Sequence, residues 1–320
     1  MGGRMSRCFD RSQHPDGSTM EHSFIAWAKQ RSSKLPQVKL GIGDDCALLA
    51  GSADDCVVTT DSLCDGTHFI LSECGGRRAG RKLLGVSLSD LASMGATPVA
   101  AFLSLCLPRA SAGDIAAEVF EGVLEMAREY AVAIAGGDTN VWDGPLALHL
   151  TAIGSVAPDR AWKRSGAKTG DAIVVTGTLG GSILGKHLDF EPRLRLANQL
   201  AQLDIVSAAT DISDGLGIDL LNMTVASRCG AEVDLSRIPI SDAARRLAES
   251  TGRSPLDHAL GDGEDFELLL AIPKEKVDRL PAVIGGVPLT RIGEIVGRTG
   301  LWSKEKGGVK QLPPRGYVHG

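Results

Sequence analysis

VSLSDLASMGATP, residues 86–98, is the stretch on which the reading of this chain turns. Its spacing predicts the end of a helix over about Arg77 to Met94, with Gly95 as the C-terminal stop and Pro98 just beyond. Leu83, Leu84, Ser87, Leu88 and Leu91 fall on one side of that helix. Asp90, seven positions after Leu83 and four after Val86, falls inside the same apolar arc. Burying a carboxylate costs on the order of several kcal/mol unless it is paired or coordinates a cation. Only Lys82 and Arg81 lie within helical reach, at the edge of the face. Asp90 is therefore expected to ligate a metal, or else to act as a buried cap or as half of a salt bridge.

The neighbouring segments repeat the theme of acids beside glycine or a small hydroxyl. Val38 to Ile42 and Cys56 to Thr60 read as strands that run into GDD at 43–45 and TTD at 59–61. Ser111 with Asp114 opens a second helix, which leads into a strand from Ala131 to Ala135 that ends in GGDT. From Ala172 the pattern restarts with the strand AIVVTG, the turn GTLGGS (177–182), helices to about Gln202, then ATDISDGL (209–216) opening a helix through Ser227. A strand from Phe266 to Ile272, a short helix near Val277 and a strand pair around Ile292 and Trp302 follow. KRSGAKTGD, Lys163 to Asp171, is polar and reads as a linker. The expected division is a disordered polar tail over 1–19, one domain over 20–157 and another over 158–320. Ser18 and Glu21, in capping-box spacing, start the first helix, and Met20 is a candidate start.

Composition narrows the class. The chain has 320 residues, 43% hydrophobic and 23% charged, with a net charge of −5 and no basic block, which disfavours nucleic acid or an anionic membrane as a partner. The longest apolar stretch, near Val99 to Leu107, is far short of the roughly 20 residues of a membrane span. The seven Cys form no C-x-x-C pair and no apolar signal core precedes them, so a cytoplasmic protein is expected. Gly, at 39 residues, is well above its usual share, so many tight turns and close approaches are expected.

Asp44, Asp45, Asp61, Asp90, Asp138, Asp211, Asp214, Glu264 and Asp265, with Thr59, Thr60 and Ser213 as neutral donors, offer oxygen alone. Such a set selects Mg²⁺, Mn²⁺ or Ca²⁺ over zinc. Like charges at 4 Å repel by about 4 kcal/mol at an effective dielectric of 20, so converging acids require cations. Several hard cations beside glycine-rich turns point to polyphosphate. Yet TGTLGGS at 176–182 lacks the lysine of a Walker-type loop, and the protein-kinase motifs are missing too. Adjacent side chains at a strand end point to opposite faces, so Asp45 and Glu264 rank ahead of their neighbours Asp44 and Asp265, whose roles stay open.

In order along the chain, GIGDDCALL, TTDSLCDGTHF, VSLSDLASMGATP, IAGGDT, KRSGAKTGD, ATDISDGL and GEDFELLLAI resemble the thiamine-monophosphate kinase family. The resemblance runs from about Met20 to Gly320. It implies the two-domain fold shared with aminoimidazole ribonucleotide synthetase, of class α+β or α/β. An N-terminal sheet domain would pair with its mate in a homodimer, an α/β domain would follow, and ATP and metals would lie in the cleft between the domains. It implies Asp45, Thr59, Thr60, Asp61, Asp90, Asp138, Asp211 and Asp214 as ligands of several Mg²⁺ ions. Tyr130, Gly137, Asp138, Arg164 and Ser213 would contact ATP, and His68, Glu264 and Tyr317 thiamine monophosphate. KHLDFEPRLRL (186–196) matches the family's R-H-x-x-P-x-P-R only loosely.

The activity implied is phosphorylation of thiamine monophosphate to thiamine diphosphate without a general base, since the accepting phosphate oxygen is already ionised near neutral pH. Two rivals are weighed against it. A related ATP-using synthetase, such as selenophosphate synthetase or the hydrogenase maturation dehydratase, would want a reactive cysteine near one end, whereas this sequence closes on Tyr317, Val318, His319 and Gly320. A nucleotide sensor would bind ATP without releasing ADP.

Overall fold

The structure is a computed structural model that describes residues 27–32, 35–40, 48–49, 53–305 and 308–317. The expected tail over 1–19, the Ser18–Glu21 box and the acids Asp44 and Asp45 lie outside the described residues. The chain divides into two compact units: Met1–Ser87 with Pro98–Ser155, and Leu88–Thr97 with Val156–Gly320.

In the first unit β1 (Val38–Leu40) pairs antiparallel with β2 (Leu48–Leu49). The main sheet has four strands, β3 (Asp55–Cys64), β6 (Ala147–Val156), β4 (Thr97–Pro108) and β5 (Ala133–Trp142), in that spatial order. Strands β4 and β5 run parallel, joined by the crossover helix α2 (Ala112–Glu129) that follows helix α1 (Leu71–Ser93) in the chain. Strand β6 alternates strictly, so Leu148, Leu150 and Ala152 enter the core while His149 and Thr151 face the other way. Helices α1 and α2 touch backbone to backbone. A Cβ on Gly80 would sit 2.0 Å from the Val119 carbonyl oxygen, and one on Gly122 would sit 1.9 Å from that of Arg77.

Several expectations need correction here. Neither Asp61 nor Asp138 ends a strand. Strand β3 continues to Cys64 and β5 to Trp142; on β5 the ladder with β4 runs past the acid, from Asp138 opposite Ser104 to Trp142 opposite Pro108. Helix α1 begins earlier than Arg77: the Asp65 carboxylate accepts from the Leu71 amide at 2.8 Å, and Gly75, at φ 72° and ψ 164°, interrupts the first turn. Every residue from Lys82 to Ser89 is buried, so the helix has no polar side there, and Asp90 itself is only half-buried.

The second unit is built on the sheet β14 (Gly308–Gln311), β13 (Gly300–Glu305), β9 (Gly230–Val233), β12 (Val287–Val296), β7 (Ala172–Thr176), β10 (Leu268–Ile272) and β8 (Ala208–Asp211), with β11 (Val283–Ile284) added on β12. The pairings from β9 through β12, β7 and β10 to β8 are antiparallel, and only β13 on β9 is parallel. The unit is thus α+β rather than a parallel α/β layer, because β10 returns between β7 and β8 instead of extending the sheet edge. Strands β7, β8 and β10 are buried throughout, which explains their uninterrupted apolar runs. The helices α3 (Lys186–Asp189), α4 (Leu194–Leu203), α5 (Leu216–Ser227), α6 (Asp242–Thr251) and α7 (Pro255–Gly261) complete this unit.

The stretch read as a linker is instead docked. The Lys163 carbonyl accepts from the Ala209 amide at 3.1 Å, the Arg164 carbonyl from the Ser227 hydroxyl at 2.7 Å, and a Cβ on Gly166 would lie 1.8 Å from the Ser207 carbonyl oxygen.

Candidate active site

The antiparallel return of β10 sets three chain ends side by side in the second unit. Leu268, at the start of β10, faces Asp211 at the end of β8, and Leu269 faces Val175 near the end of β7. ATDISDGL, GTLGGS and GEDFE therefore share one edge of the sheet.

At this edge the carboxylates divide by role. Asp262 accepts from the Gly181 amide, and both oxygens of Asp265 accept from the Gly180 amide, each contact at 2.9 Å. Burial pushes Asp265 up to about 7, against the opposing pull of Lys186 and of the Gly180 amide. Glu267, also buried, takes a 2.7 Å bond from the Thr176 hydroxyl, 2.7 and 2.6 Å bonds from Nε and Nη2 of Arg193, and a 2.9 Å contact from Lys186. Burial pushes Glu267 upward, but the two cations outweigh it and hold the carboxyl below its usual range. Asp262, Asp265 and Glu267 are thus committed to holding the glycine-rich turn and KHLDFEPRLRL.

Asp211 differs. It is fully buried and is pushed up to about 8, first by burial and then by the Asp90 carboxylate, with Asp219 adding to this and Ser89 and Arg164 acting against it. The Ser89 hydroxyl donates to its Oδ2 at 2.6 Å, and Nε of Arg164 donates to Thr210 at 3.1 Å. Asp90, Asp211 and Arg164 are thereby brought together within this unit. Ser213 and Asp214 follow directly, and their carbonyls accept from the amides of Glu264 at 2.7 Å and Tyr317 at 2.8 Å. Tyr317 is 54% exposed, and Glu264 is held at φ 51°, the left-handed region that a non-glycine residue adopts at a cost.

In the first unit, alternation along β3 puts Thr59 and Asp61 on the face that carries Val57 and Leu63, and Thr60 on the opposite face. The Ser87 hydroxyl donates to Asp61 at 2.6 Å, whereas the Thr60 hydroxyl donates to the Leu150 carbonyl at 3.3 Å. The side chain of Thr60 therefore does not join the other two. His68 Nδ1 accepts from the Cys64 amide at 3.0 Å, which puts the ring proton of the neutral imidazole on Nε2. The fully buried Lys82 donates to the His68 carbonyl at 2.7 Å. Gly137 and Asp138 lie exposed on β5, where Asn140 donates to Asp138 at 2.7 Å, and Tyr130 closes α2 as its C-terminal cap.

Ser87, Ser89, Lys82 and Asp219 were missed as contributors. Each is a polar residue inside an apolar helical run, and that was the available signal. Among the described residues no group of three or more His, Cys, Asp or Glu side chains is placed to hold a metal by itself. Mg²⁺ does not require one, since it takes one or two carboxylates and completes its octahedron with water and phosphate. The Asp90–Asp211 pair, two oxygen donors of like charge with Asp211 pushed to about 8, fits a hard cation.

Residues 43–156 match the AIR synthase related protein, N-terminal domain, and residues 168–302 its C-terminal domain. The chain is 47% identical over 310 residues to a thiamine-monophosphate kinase of Rhodopirellula baltica, covering 94% of this chain and 98% of that protein. The chain belongs to the thiamine-monophosphate kinase family. A crystal structure of the thiamine-monophosphate kinase of Stenotrophomonas maltophilia K279a superposes with a TM-score of 0.76 at 36% identity, over 87% of this chain and 94% of that one. A structure described as AaThiL complexed with AMPPCP and TMP superposes at 0.74, with 26% identity over 93% and 96% of the two chains. Among the described residues no helix is long and apolar enough to cross a membrane.

Proposed function

We propose that this member of the thiamine-monophosphate kinase family transfers the γ-phosphoryl group of ATP to the phosphate of thiamine monophosphate, yielding thiamine diphosphate and ADP. The observation that carries the reading is the junction at Ser213 and Asp214. The peptides of a loop assigned to nucleotide and metal bond directly to Glu264 and Tyr317, the residues assigned to the acceptor. The ligands named for AaThiL, AMPPCP and TMP, fit an ATP analogue and this acceptor.

The accepting oxygen is ionised near neutral pH, so no side chain has to remove a proton. The chain's task is to orient two polyanions in line. In the second unit Arg164 and Ser213 hold nucleotide, while Glu264 and Tyr317 hold thiamine monophosphate. In the first, Tyr130 and Gly137 serve the nucleotide, and His68 offers the proton on Nε2 to the acceptor. Asp90, Asp211 and Asp214 of the second unit and Asp45, Thr59, Asp61 and Asp138 of the first would hold Mg²⁺. Mg²⁺, when bound, neutralises the phosphoryl oxygens and the leaving group.

A homodimer through the first unit, a cytoplasmic location and a polar N-terminal tail dispensable for activity belong to the same proposal. The cysteine pattern supports the location: Cys56, Cys64, Cys74, Cys106 and Cys229 all carry free thiols. The experiment is incubation of purified protein with ATP, Mg²⁺ and thiamine monophosphate, with products separated by chromatography. Thiamine diphosphate and ADP in equal amounts are expected. ADP without thiamine diphosphate, or bound ATP without turnover, overturns the reading.

A further inference from the structure

Ser213 and Asp214 have all four of their main-chain polar groups engaged. Their carbonyls accept from Glu264 and Tyr317, while their amides both donate to one atom, Oδ2 of Asp219, at 3.1 and 3.0 Å. Asp219 lies in the first turn of α5, one residue too far along to be the reciprocal acid of a capping box, and its carboxylate reaches back past the N-terminal Gly215. The approach is close on every side. Gly215 stands at φ 109°; a Cβ on Gly263 would fall 2.7 Å from the Ser213 carbonyl oxygen, and one on Gly316 would fall 2.4 Å from that of Asp214.

Asp219 is 1% exposed, and burial together with Asp214 works against its charge. A helix cap alone would be served as well by a neutral serine or asparagine at the helix start. What this carboxylate supplies is one fixed point, carried on the buried face of α5 with Leu216, Leu220 and Met223, from which two successive peptides hang. Those peptides set where the main chains of Glu264 and Tyr317 come to rest.

We propose that Asp219 is a positioning residue for the acceptor site: its carboxylate oxygen fixes the Ser213–Asp214 peptides, and through them the placement of Glu264 and Tyr317 on thiamine monophosphate. The proposal rests on the function assigned above.

Two variants separate position from charge. Asp219→Asn keeps an acceptor oxygen at the same reach and removes the charge. Asp219→Glu keeps the charge and moves the oxygen by one methylene. Positioning requires the Asn variant to retain KM for thiamine monophosphate and the Mg²⁺ dependence of the wild type. It requires the Glu variant to raise that KM by tenfold or more, since misplacement by about 1 Å can cost on the order of 10²-fold. Amide hydrogen exchange at Glu264 and Tyr317 should accelerate in the Glu variant alone.

The opposite pattern, a steep new Mg²⁺ requirement in Asp219→Asn with Asp219→Glu intact, would make Asp219 a metal ligand and overturn the proposal. Wild-type KM in both variants with only a lowered Tm would leave it a purely structural residue, and overturns it equally. Absence of turnover in the wild type would refute the function instead, and the exchange pattern would still decide whether Asp219 holds the junction.

Discussion

The Ser89 hydroxyl bonds to Asp211 at 2.6 Å, and both groups are out of contact with water. That bond favours the ionised carboxylate against burial and the Asp90 charge, which together push Asp211 up to about 8. Ser89→Ala should raise Asp211 further, so at pH 7 fewer molecules carry the charged group. At limiting Mg²⁺ the variant is expected to lose activity near pH 7 and to regain most of it by about pH 9. A pH–rate profile of kcat/KM checks this; a loss equal at every pH would assign Ser89 to packing.

Replacing Asp90 or Asp211 by Asn should lower kcat by roughly 10²-fold or more, the scale observed when a preorganised charge stabiliser is lost. The same change removes mutual repulsion, so Tm without metal should hold or rise. Steady-state kinetics with a melting curve tests both halves. Unchanged kcat for Asp90→Asn at limiting Mg²⁺ takes Asp90 out of the metal set.

Stability without metal should depend on pH in a set direction. Asp211, Asp219 and Asp265 are pushed up to about 8, 7 and 7 by burial first of all, so above the ordinary aspartate range the native chain keeps protons that the unfolded chain has released. Stability therefore falls as pH rises through that window. Glu267 acts oppositely, because its lowered carboxyl stabilises the fold above its ordinary value and loses this as pH falls through the folded value. In EDTA, Tm is expected to peak on the acid side of neutrality and to decline towards pH 8. Added Mg²⁺ should raise Tm more at pH 8 than at pH 6, and a flat EDTA profile would contradict the burial of these acids.

The helix stop at Gly95, which takes φ 65°, was legible because only local geometry is involved. The sequence also marked Asp90 as a carboxylate needing a cation, a cap or a salt bridge, but that Asp211 is the acid beside it comes from the fold. The helical wheel failed at α1 for a physical reason: a helix buried on every side from Lys82 to Ser89 has no amphipathic pattern to read. Strand ends at Asp61 and Asp138 were misread because the ladder, not the local residue type, decides where pairing stops. Asp265 and Glu267 belong to long-range bonds with Gly180 and Arg193, and no spacing rule reaches that far.

Arg193→Met should destabilise the second unit by about 3 kcal/mol, because it leaves Glu267 buried with a weakened set of partners. The double change Arg193→Met with Glu267→Gln should recover part of that loss. Urea unfolding of the four proteins provides the cycle, and additive losses would show that the two side chains do not interact.

Free thiamine should be a poor acceptor. Its hydroxyl must lose a proton during transfer, and the acids best matched to the site are assigned to cations, which lower their basicity. It also lacks the phosphate oxygens that would complete a Mg²⁺ shell. A kcat/KM for free thiamine comparable to that for thiamine monophosphate would refute the base-free mechanism.

The placement of β10 between β7 and β8 has a consequence for synthesis on the ribosome. When the nascent chain has emerged as far as Asp211, β7 and the end strand β8 have been made but β10, the strand that joins them, has not. Each then presents an apolar, unpaired edge, the kind of surface that recruits other chains. Pairing can finish only after Ile272 has been translated, and Tyr317 meets Asp214 later still. A ribosome stalled between these points would carry β7 and β8 with no strand between them and no assembled junction, so the order of translation itself delays the site until Tyr317 has been made.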